Sequence, residues 1–448
     1  MSKRKLVTSL LLAVAMLTAA CSTQSTGGKG ASSGETVTIR FVDWEGEEAH
    51  KQVEKMLKTF EEQNPGIKVD YQSVPYDQYL TKLNSQAASN TLPDIAQMPE
   101  GQVLQWAQKG VLMDLSAILD GAPSKLETNK FKTPDGKTVG ISVANEIILM
   151  FYSKKMFDDA GLPYPPAEVE KAWTWEEMVE VARKLTKDVN GKHPGEAGFD
   201  PENIAQYGIN IPKLDFMWAA FAKSNGGGVV SKDGKELLVD TPETIEALQK
   251  IADLTLVEHV SPSVSQSTSL PDLAARMLTG KVAMNIDGQW ATQSFEVTEG
   301  LEYGIGVLPK FKKAVTVNAG GADVIFNSTK HPDEAAKLLQ FLLDPNNSLP
   351  QIQSGLWMPN EERWYTEPDL IAKWIDNDAH VEEYKTAVVD YALKATEQNA
   401  FFIVPNAGEI SDVLGPGLDP VWLGEKTAEE AMKNDIAPKV REIFNSGE

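Results

Sequence analysis

The chain has 448 residues, and its 64 acidic side chains against 42 basic ones give a formal net charge of −22 at pH 7. An acidic surface of that magnitude repels phosphate backbones, which argues against a nucleic-acid-binding protein. The sequence holds one cysteine, so it forms no internal disulfide and folds by burial of apolar side chains alone. Its length is sufficient for two lobes with ordinary hydrophobic cores.

The N-terminus predicts an export signal. Residues 3–5 are Lys-Arg-Lys, and an apolar run follows at positions 6–20. That run of about 15 residues is shorter than the roughly 20 that a membrane-spanning helix requires, so it is typical of a signal peptide. We therefore predict that residues 1–20 form a signal peptide that is removed before Cys21, the sole cysteine.

Residues 17–21, Leu-Thr-Ala-Ala-Cys, resemble a bacterial lipobox, in which the cysteine thiol receives diacylglycerol. A lipobox usually has a bulky aliphatic residue where this chain has Thr18, so secretion with a free thiol stays an alternative. The Ser-, Thr- and Gly-rich stretch after Cys21 predicts a flexible tether over residues 21–35. The prediction is a lipid anchor on the extracellular face of the cell membrane, typical of a Gram-positive bacterium.

The globular part begins with alternating strands and helices. Apolar side chains at every second position predict strands over residues 37–41 and 67–71. Between them, apolar residues recur at helical spacing over residues 53–60, and Pro65-Gly66 ends that helix. Residues 93–96 predict a third short strand. Strands that alternate with helices predict α/β layers around a largely parallel sheet.

The later part of the chain predicts longer helices. Thr174 and Glu177 form a capping box ahead of one helix. Thr241-Pro242 starts another, with proline in its first turn. Helical spacing recurs over residues 335–342, and residues 427–430 predict a cap for the last helix.

The sequence shows no constellation of catalytic or metal-binding residues. None of the five histidines has another at i+4 or lies beside the cysteine, which argues against a zinc site and a Cys–His nucleophile. Residues 30–34 match G-x-S-x-G but lie in the predicted tether. Residues 188–191 partly match a calcium loop, although a solvated turn is the better interpretation because Lys192 and His193 follow. We predict no enzyme, no metal and no cofactor.

The ten tryptophans are the most informative side chains. Trp44, Trp290 and Trp357 lie beside glycine, proline or carboxylates on predicted turns. An aromatic face stacks on the C–H side of a sugar ring, while nearby carboxylates accept hydrogen bonds from its hydroxyls. These three are binding candidates, whereas Trp106 and Trp422 are predicted to be packing residues.

The order of segments resembles the extracellular solute-binding proteins of the maltose-type family, the binding subunits of carbohydrate importers. The resemblance covers nearly the whole exported chain. Its segments are VTIRFVDW at 37–44, FEEQNPGIKV at 60–69, LPDI at 92–95, YSKKMF at 152–157, AGL at 160–162, WTWEE at 173–177, GKVAM at 280–284 and GQW at 288–290.

The resemblance implies an α/β, two-lobe periplasmic-binding-protein-like fold with a hinge of crossing strands and a ligand cleft between the lobes. The implied N-terminal lobe comprises residues 36–143 and 315–354. The implied C-terminal lobe comprises residues 144–311 and 355–448. A protein of this kind delivers its ligand to the permease subunits of an ABC importer, and we expect a monomer.

The resemblance also implies ligand contacts from both lobes. The matching positions are Trp44, Glu45, Tyr76, Glu100, Asn145, Glu146, Trp218, Asp287, Trp290, Gly320, Gly321, Asp323 and Trp357. It assigns stacking on sugar rings to Trp218, Trp290 and Trp357. It assigns hydroxyl recognition to Glu45, Glu100 and Asn145. Gly320-Gly321 would let backbone N–H groups approach the ligand.

The arginine content limits the ligand further, because an acidic sugar would require an arginine fork. Beyond the signal peptide, the arginines are Arg40, Arg183, Arg276, Arg363 and Arg441. Of these, Arg363 alone follows a predicted site loop, so we expect a neutral oligosaccharide. The alternatives are a lipid-anchored extracellular glycoside hydrolase or lyase, and a binding protein for a non-sugar solute.

Overall fold

The first strand forms where β-branched and aromatic side chains alternate with polar ones. Ile39 and Phe41 are buried, while Arg40 between them is exposed, as the period of two in a strand requires. The computed structural model describes residues 36–377 and 380–446. The predicted signal peptide, Cys21 and the tether lie outside the described residues.

The described chain forms two sheets and a set of mostly short helices. The strands are β1 (Val37–Asp43), β2 (Ile67–Ser73), β3 (Ile95–Met98), β4 (Lys130–Lys132), β5 (Thr138–Ile141), β6 (Glu146–Ser153), β7 (Lys187–Asp188), β8 (Ile204–Asn210), β9 (Val282–Gly288), β10 (Tyr303–Gly306), β11 (Thr316–Ala319), β12 (Ala322–Ile325) and β13 (Thr396–Glu397). The helices of the first half are α1 (Glu47–Gln63), α2 (Tyr76–Ala88), α3 (Glu100–Gln108), α4 (Ser116–Leu119), α5 (Lys154–Ala160), α6 (Trp175–Leu185) and α7 (Asp215–Asn225).

The second half is mainly helical. Its helices are α8 (Pro242–Leu256), α9 (Val264–Ser269), α10 (Leu273–Leu278), α11 (Thr292–Glu296), α12 (Pro332–Leu342), α13 (Leu349–Gln353), α14 (Arg363–Thr366), α15 (Pro368–Ile375), α16 (Tyr391–Ala395), α17 (Ala407–Trp422), α18 (Ala428–Glu430) and α19 (Ala437–Ser446). Two π-helical segments, Lys385–Asp390 and Ala431–Ile436, precede α16 and α19. None of the helices within the described residues is long and apolar enough to cross a membrane.

The first sheet has six strands in the order β2-β1-β3-β12-β5-β4. β1 pairs in parallel with β2 and β3, whereas β12 and β5 run antiparallel to their neighbours. The predicted parallel arrangement therefore holds for the strands that the sequence pattern identified. The returning strands make the sheet mixed.

The second sheet has seven strands in the order β13-β11-β6-β9-β8-β7, with β10 also paired to β6. The chain passes from the first sheet to the second between β5 and β6. It returns between β11 and β12, where Gly320-Gly321 joins the two strands. These crossings fit the hinge of the predicted fold, and the residue bounds of the two lobes stay a prediction. β11, which the prediction assigns to the N-terminal lobe, pairs with β6 of the second sheet.

The predicted helix signals are confirmed. The capping box of Thr174 and Glu177 forms at α6, and Thr241 caps α8. The apolar stripe over residues 53–60 is buried along α1. Asp188 accepts backbone N–H groups from Asn190, Lys192 and Asp200, so its carboxylate holds a turn, as the sequence indicated.

Candidate functional site

Three strands of the first sheet bring predicted binding residues to one edge. β1 ends at Asp43 and is followed directly by Trp44 and Glu45. β3 ends two residues before Glu100, which opens α3. β12 runs antiparallel to β3 and begins directly after Gly320-Gly321. Strand ends that meet in this way form an edge where loop side chains converge.

Trp44 forms an aromatic wall at this edge. Its ring contacts Tyr76 edge-on at 5.4 Å between centroids and Tyr79 at 5.1 Å. The Tyr79 hydroxyl shares its one proton between the carbonyl oxygens of Val42, at 2.9 Å, and Gln97, at 2.5 Å, which ties it to the ends of β1 and β3. Trp44 is half-buried, whereas Tyr76 is 58% exposed. The indole is thus held in place and still accessible.

Two glycines make room for this arrangement. A Cβ at Gly321 would lie less than 3.0 Å from the Trp44 ring, and one at Gly320 would lie less than 3.0 Å from Oε2 of Glu146. Gly320 also has φ of 93°, a left-handed conformation that favours glycine. The Gly-Gly link therefore lets Trp44 and Glu146 approach the backbone between β11 and β12.

Carboxylates surround the aromatic wall. Asp43, Glu45 and Asp323 line a common cavity, to which Gln97 and Trp357 also contribute. Burial raises the pKa of Glu45 to about 8, and the carboxylates of Asp43 and Asp323 add to the effect. Burial and Asp43 likewise raise the pKa of Asp323 well above its ordinary value. Burial therefore favours the neutral form of these carboxyl groups.

Asp43 differs from the other carboxylates because it has a close partner. The Tyr71 hydroxyl donates a hydrogen bond of 2.6 Å to Oδ2 of Asp43. Burial raises the pKa of Asp43 to about 6, and the Tyr71 hydrogen bond limits the increase. Tyr71 itself stacks on the imidazole of His50 at 4.9 Å between centroids.

Glu100 and Glu146 extend the acidic side of the site. Burial raises the pKa of Glu100 to about 7. Burial raises the pKa of Glu146 well above its ordinary value, and the carboxylates of Glu45 and Glu100 add to it. Glu146 opens β6, so the second sheet contributes this carboxylate to an edge built mainly by the first.

Asp287 and Trp290 lie together at the end of β9. Asp287 accepts the backbone N–H of Gly288 at 2.7 Å; burial raises its pKa to about 6, and Arg276 opposes that increase. A Cβ at Gly288 would collide with the Trp290 ring. Phe216 contacts that ring edge-on at 6.4 Å. The half-buried indole of Trp290 thus packs against the backbone of Gly288, two residues earlier in the same turn.

Asn145 lies in the crossing between β5 and β6 and pairs with the segment that contains Trp357. The backbone N–H of Asn145 donates to the carbonyl oxygen of Met358 at 2.9 Å, and its side-chain Nδ2 donates to the Tyr365 hydroxyl at 3.1 Å. Trp357 is 5% exposed and lines the cavity described above. Asn145 therefore secures the segment that carries Trp357.

The structure brings most of the predicted residues to one place and sets others apart. Those at the first-sheet edge are Trp44, Glu45, Tyr76, Glu100, Glu146, Gly320, Gly321 and Asp323, with Trp357 in the wall of the cavity. Trp218 is 1% exposed within α7, which is the environment of a packing residue. The ligand-binding roles of all the residues stay predictions.

Sequence reasoning missed Asp43, Gln97 and Tyr79. Asp43 could have been predicted, because Ile39, Phe41 and Asp43 occupy alternate positions and therefore lie on the same, buried face of β1. An acidic residue there is unusual for a core position. Gln97 and Tyr79 carry no comparable signal in the sequence.

Comparisons with known proteins agree with this architecture. A family described as bacterial extracellular solute-binding protein matches residues 44–347. A maltooligosaccharide ABC transporter solute-binding lipoprotein of Streptococcus pneumoniae is 24% identical over 450 residues, which is 96% of this chain and 94% of that protein. The maltodextrin-binding protein of Bacillus subtilis is 23% identical over 338 residues, 74% of each chain.

Solved structures share the fold. An ABC substrate-binding protein of Listeria monocytogenes in complex with cycloalternan has a TM-score of 0.78 at 24% identity, over 92% of this chain and 99% of that one. The acarbose-binding receptor GacH of Streptomyces glaucescens has a TM-score of 0.74 at 18% identity, over 92% of this chain and 100% of that one. At these identities the likeness shows the α/β periplasmic-binding-protein fold with two mixed sheets.

Proposed function

The chain belongs to the bacterial extracellular solute-binding protein family, the non-enzymatic solute-binding components of ABC transporters, and we propose that this member binds a carbohydrate. It would take up the sugar outside the membrane and deliver it to the permease subunits of an importer. Because the family comprises binding proteins, the hydrolase or lyase alternative is set aside.

The observation that carries the proposal is the accessible Trp44 ring among carboxylates. Its face is suited to the C–H side of a sugar ring, and Glu45, Glu100 and Glu146 supply acceptors for hydroxyl hydrogens. The names of related proteins point the same way, since they mention maltooligosaccharide, maltodextrin and cycloalternan. The scarcity of arginine argues against an acidic sugar.

The mechanism we propose is closure around the ligand. Residues 36–143 with 315–354 would form one lobe, and residues 144–311 with 355–448 the other. A sugar that touches Trp44 on the first lobe and Trp290 on the second would favour the closed form through its higher affinity for that form. The protein would act as a monomer, anchored by a lipid on Cys21 to the outer face of the membrane.

A thermal-shift screen of the protein against a library of oligosaccharides tests the proposal. The cognate sugar should raise the melting temperature and reduce the radius of gyration in solution scattering. Trp44→Ala should abolish the shift, whereas Tyr164→Ala, which removes a 41% exposed aromatic outside the site, should retain it. If no carbohydrate shifts the melting temperature of the wild-type protein, the proposal is wrong.

A further inference from the structure

Two of the predicted stacking residues lie on segments that are distant in sequence. Trp290 follows β9, whereas Trp357 follows α13. Trp357 lines the cavity that Asp43, Glu45 and Asp323 also line. A sugar that contacts both Trp290 and this cavity therefore requires the two segments to be held in a fixed relation.

Gln289 connects the two segments. Its side chain is 0% exposed, and its Nε2 atom donates a hydrogen bond of 2.5 Å to the carbonyl oxygen of Gly355. A carbonyl oxygen only accepts, so this contact fixes which end of the amide is the nitrogen. Gln289 directly precedes Trp290, and Gly355 lies two positions before Trp357. One buried side chain thus joins the turn of Trp290 to the segment that leads to Trp357.

The turn after Gln289 fits closely against the same segment. Thr292 is 0% exposed, and a Cβ on Gly355 would lie 2.7 Å from its Cγ2 atom. Gly355 also has φ of 73°, in the left-handed region that favours glycine. Gln293 adds a second hydrogen bond, because its Nε2 atom donates to Oγ of Ser354 at 3.1 Å. The start of α11 therefore contacts this segment at several points.

The segment that contains Trp357 is also fixed at its other end. The backbone N–H of Asn145 donates to the carbonyl oxygen of Met358 at 2.9 Å, which ties the segment to the crossing between β5 and β6. Gln289 supplies the tie on the other side of Trp357. The segment is thus held between a chain crossing and the turn that carries Trp290.

The energetics of a buried amide favour a role in geometry. Burial removes the Gln289 side chain from water, and the hydrogen bond to Gly355 offsets that cost with a small net gain. A methionine of similar size would fill the same space without the desolvation cost. What the amide adds is direction, because a hydrogen bond permits one arrangement where an apolar contact permits several.

We propose that Gln289 is a positioning residue for ligand binding, which holds the Trp290 ring in a fixed place relative to the cavity that Trp357 lines. The fully buried amide does not touch the ligand and acts through Trp290. This inference rests on the proposed carbohydrate-binding function and adds a residue to which the family resemblance assigns no role.

The experiment compares Gln289→Met with the wild type by calorimetric titration of the full-length protein. The probe is the tightest binder in a series of α-1,4-linked glucose oligomers, extended to the whole carbohydrate library if none of them binds. Gln289→Met keeps the length of the side chain and loses the N–H group. Its affinity should be roughly tenfold lower than that of the wild type, within the range for coupled neighbours.

Gln206→Met is the matched control. Gln206 also donates its Nε2 atom to a backbone carbonyl oxygen, that of Leu185, but it lies in β8 beside the end of α6. This variant should bind the sugar as the wild type does. Urea unfolding of both variants gives their stability, and we expect each to be folded without denaturant and to bind with wild-type stoichiometry.

A double-mutant cycle with Trp290→Ala tests the route by which Gln289 acts. If Gln289 only positions Trp290, the methionine substitution should change affinity by less than about twofold once the ring is absent. A purely structural role would produce the same fold-change in both backgrounds. Equal losses therefore overturn the inference, as does wild-type affinity in Gln289→Met.

A second variant keeps the test available if Gln289→Met does not fold. Gln293→Ala removes the bond to Ser354 from a half-buried side chain. Its loss of affinity should also vanish in the Trp290→Ala background, and an unchanged loss would overturn the inference. If the wild type binds a sugar and the variants bind it equally well, the positioning role is wrong and the proposed function stands. If no carbohydrate binds the wild type, both are wrong.

Discussion

The indole ring of Trp44 occupies the space that a side chain on Gly321 would need. A Cβ built there would lie less than 3.0 Å from the ring and from the carbonyl oxygen of Met98. The ring therefore depends on a residue far away in sequence, at the link between β11 and β12. This dependence makes the Gly-Gly link part of the candidate site.

Gly321→Ala should displace the Trp44 ring, because the backbone of β3 leaves the new methyl group no other space. We expect the affinity for the cognate sugar to fall by about 1–3 kcal/mol, the range for loss of an aromatic anchor at a binding surface. Calorimetry on the folded variant measures this change. Gly46→Ala is the matched control, since a Cβ there meets nothing within 4 Å. Unchanged affinity in Gly321→Ala would place Trp44 outside the binding surface.

Trp290→Ala separates a binding role from a packing role. As a stacking residue, Trp290 should contribute about 1–3 kcal/mol to binding, with little change in the free energy of unfolding because the ring is half-buried over its own turn. Trp106→Ala is the packing control; Trp106 is 4% exposed and should cost about 3–5 kcal/mol of stability. Urea unfolding and calorimetry on both variants give the comparison. A stability loss for Trp290→Ala equal to that of Trp106→Ala, with affinity unchanged, would assign Trp290 to the core.

The sequence pattern was sufficient to locate the helices and strands that bury one face. Alternation located β1 and β2, helical spacing located α1, a capping box with helical spacing located α6, and Thr241-Pro242 located the start of α8. The third strand was shifted by two residues, because Pro93 and Asp94 precede the ladder that begins at Ile95. The position of β12 between β3 and β5 depends on a contact between distant parts of the chain, which local periodicity does not encode.

The candidate site was predictable in part for the same reason. Trp44 and Glu45 follow a strand whose end the alternation identifies, and Gly320-Gly321 stands out as a pair that permits close approach. Burial could not be foreseen for Trp218, which the resemblance assigned to stacking and which lies at 1% exposure in α7. Whether an aromatic ring faces a cleft or a neighbouring helix is decided by tertiary packing.

Cys21→Ser tests the lipid anchor, which rests on the sequence alone. If the thiol carries diacylglycerol, the variant should appear in the medium. Loss of the thiol removes the acyl chains that hold the protein to the bilayer. Fractionation of cells into membrane and medium, followed by immunodetection, measures the change. A control with Ser22→Ala keeps the cysteine and should stay in the membrane fraction. Equal retention of Cys21→Ser and wild type would show that the cysteine is not the anchor.

The raised pKa of Glu45 predicts a pH-dependent stability of the ligand-free protein. Burial raises this pKa from 4.5 to about 8, so the folded state holds the proton more tightly than the unfolded chain does. The contribution of Glu45 to stability is therefore complete below about pH 4.5 and is lost as the pH rises through about 8.

The variant Glu45→Gln cannot ionise at this position. The difference between its free energy of unfolding and that of the wild type should therefore increase in favour of the variant as the pH rises, which urea unfolding at pH 5 to 8.5 would measure. Glu62→Gln corrects for the change in net charge. Parallel curves for Glu45→Gln and wild type would mean that Glu45 stays hydrated in the folded protein and that burial does not raise its pKa.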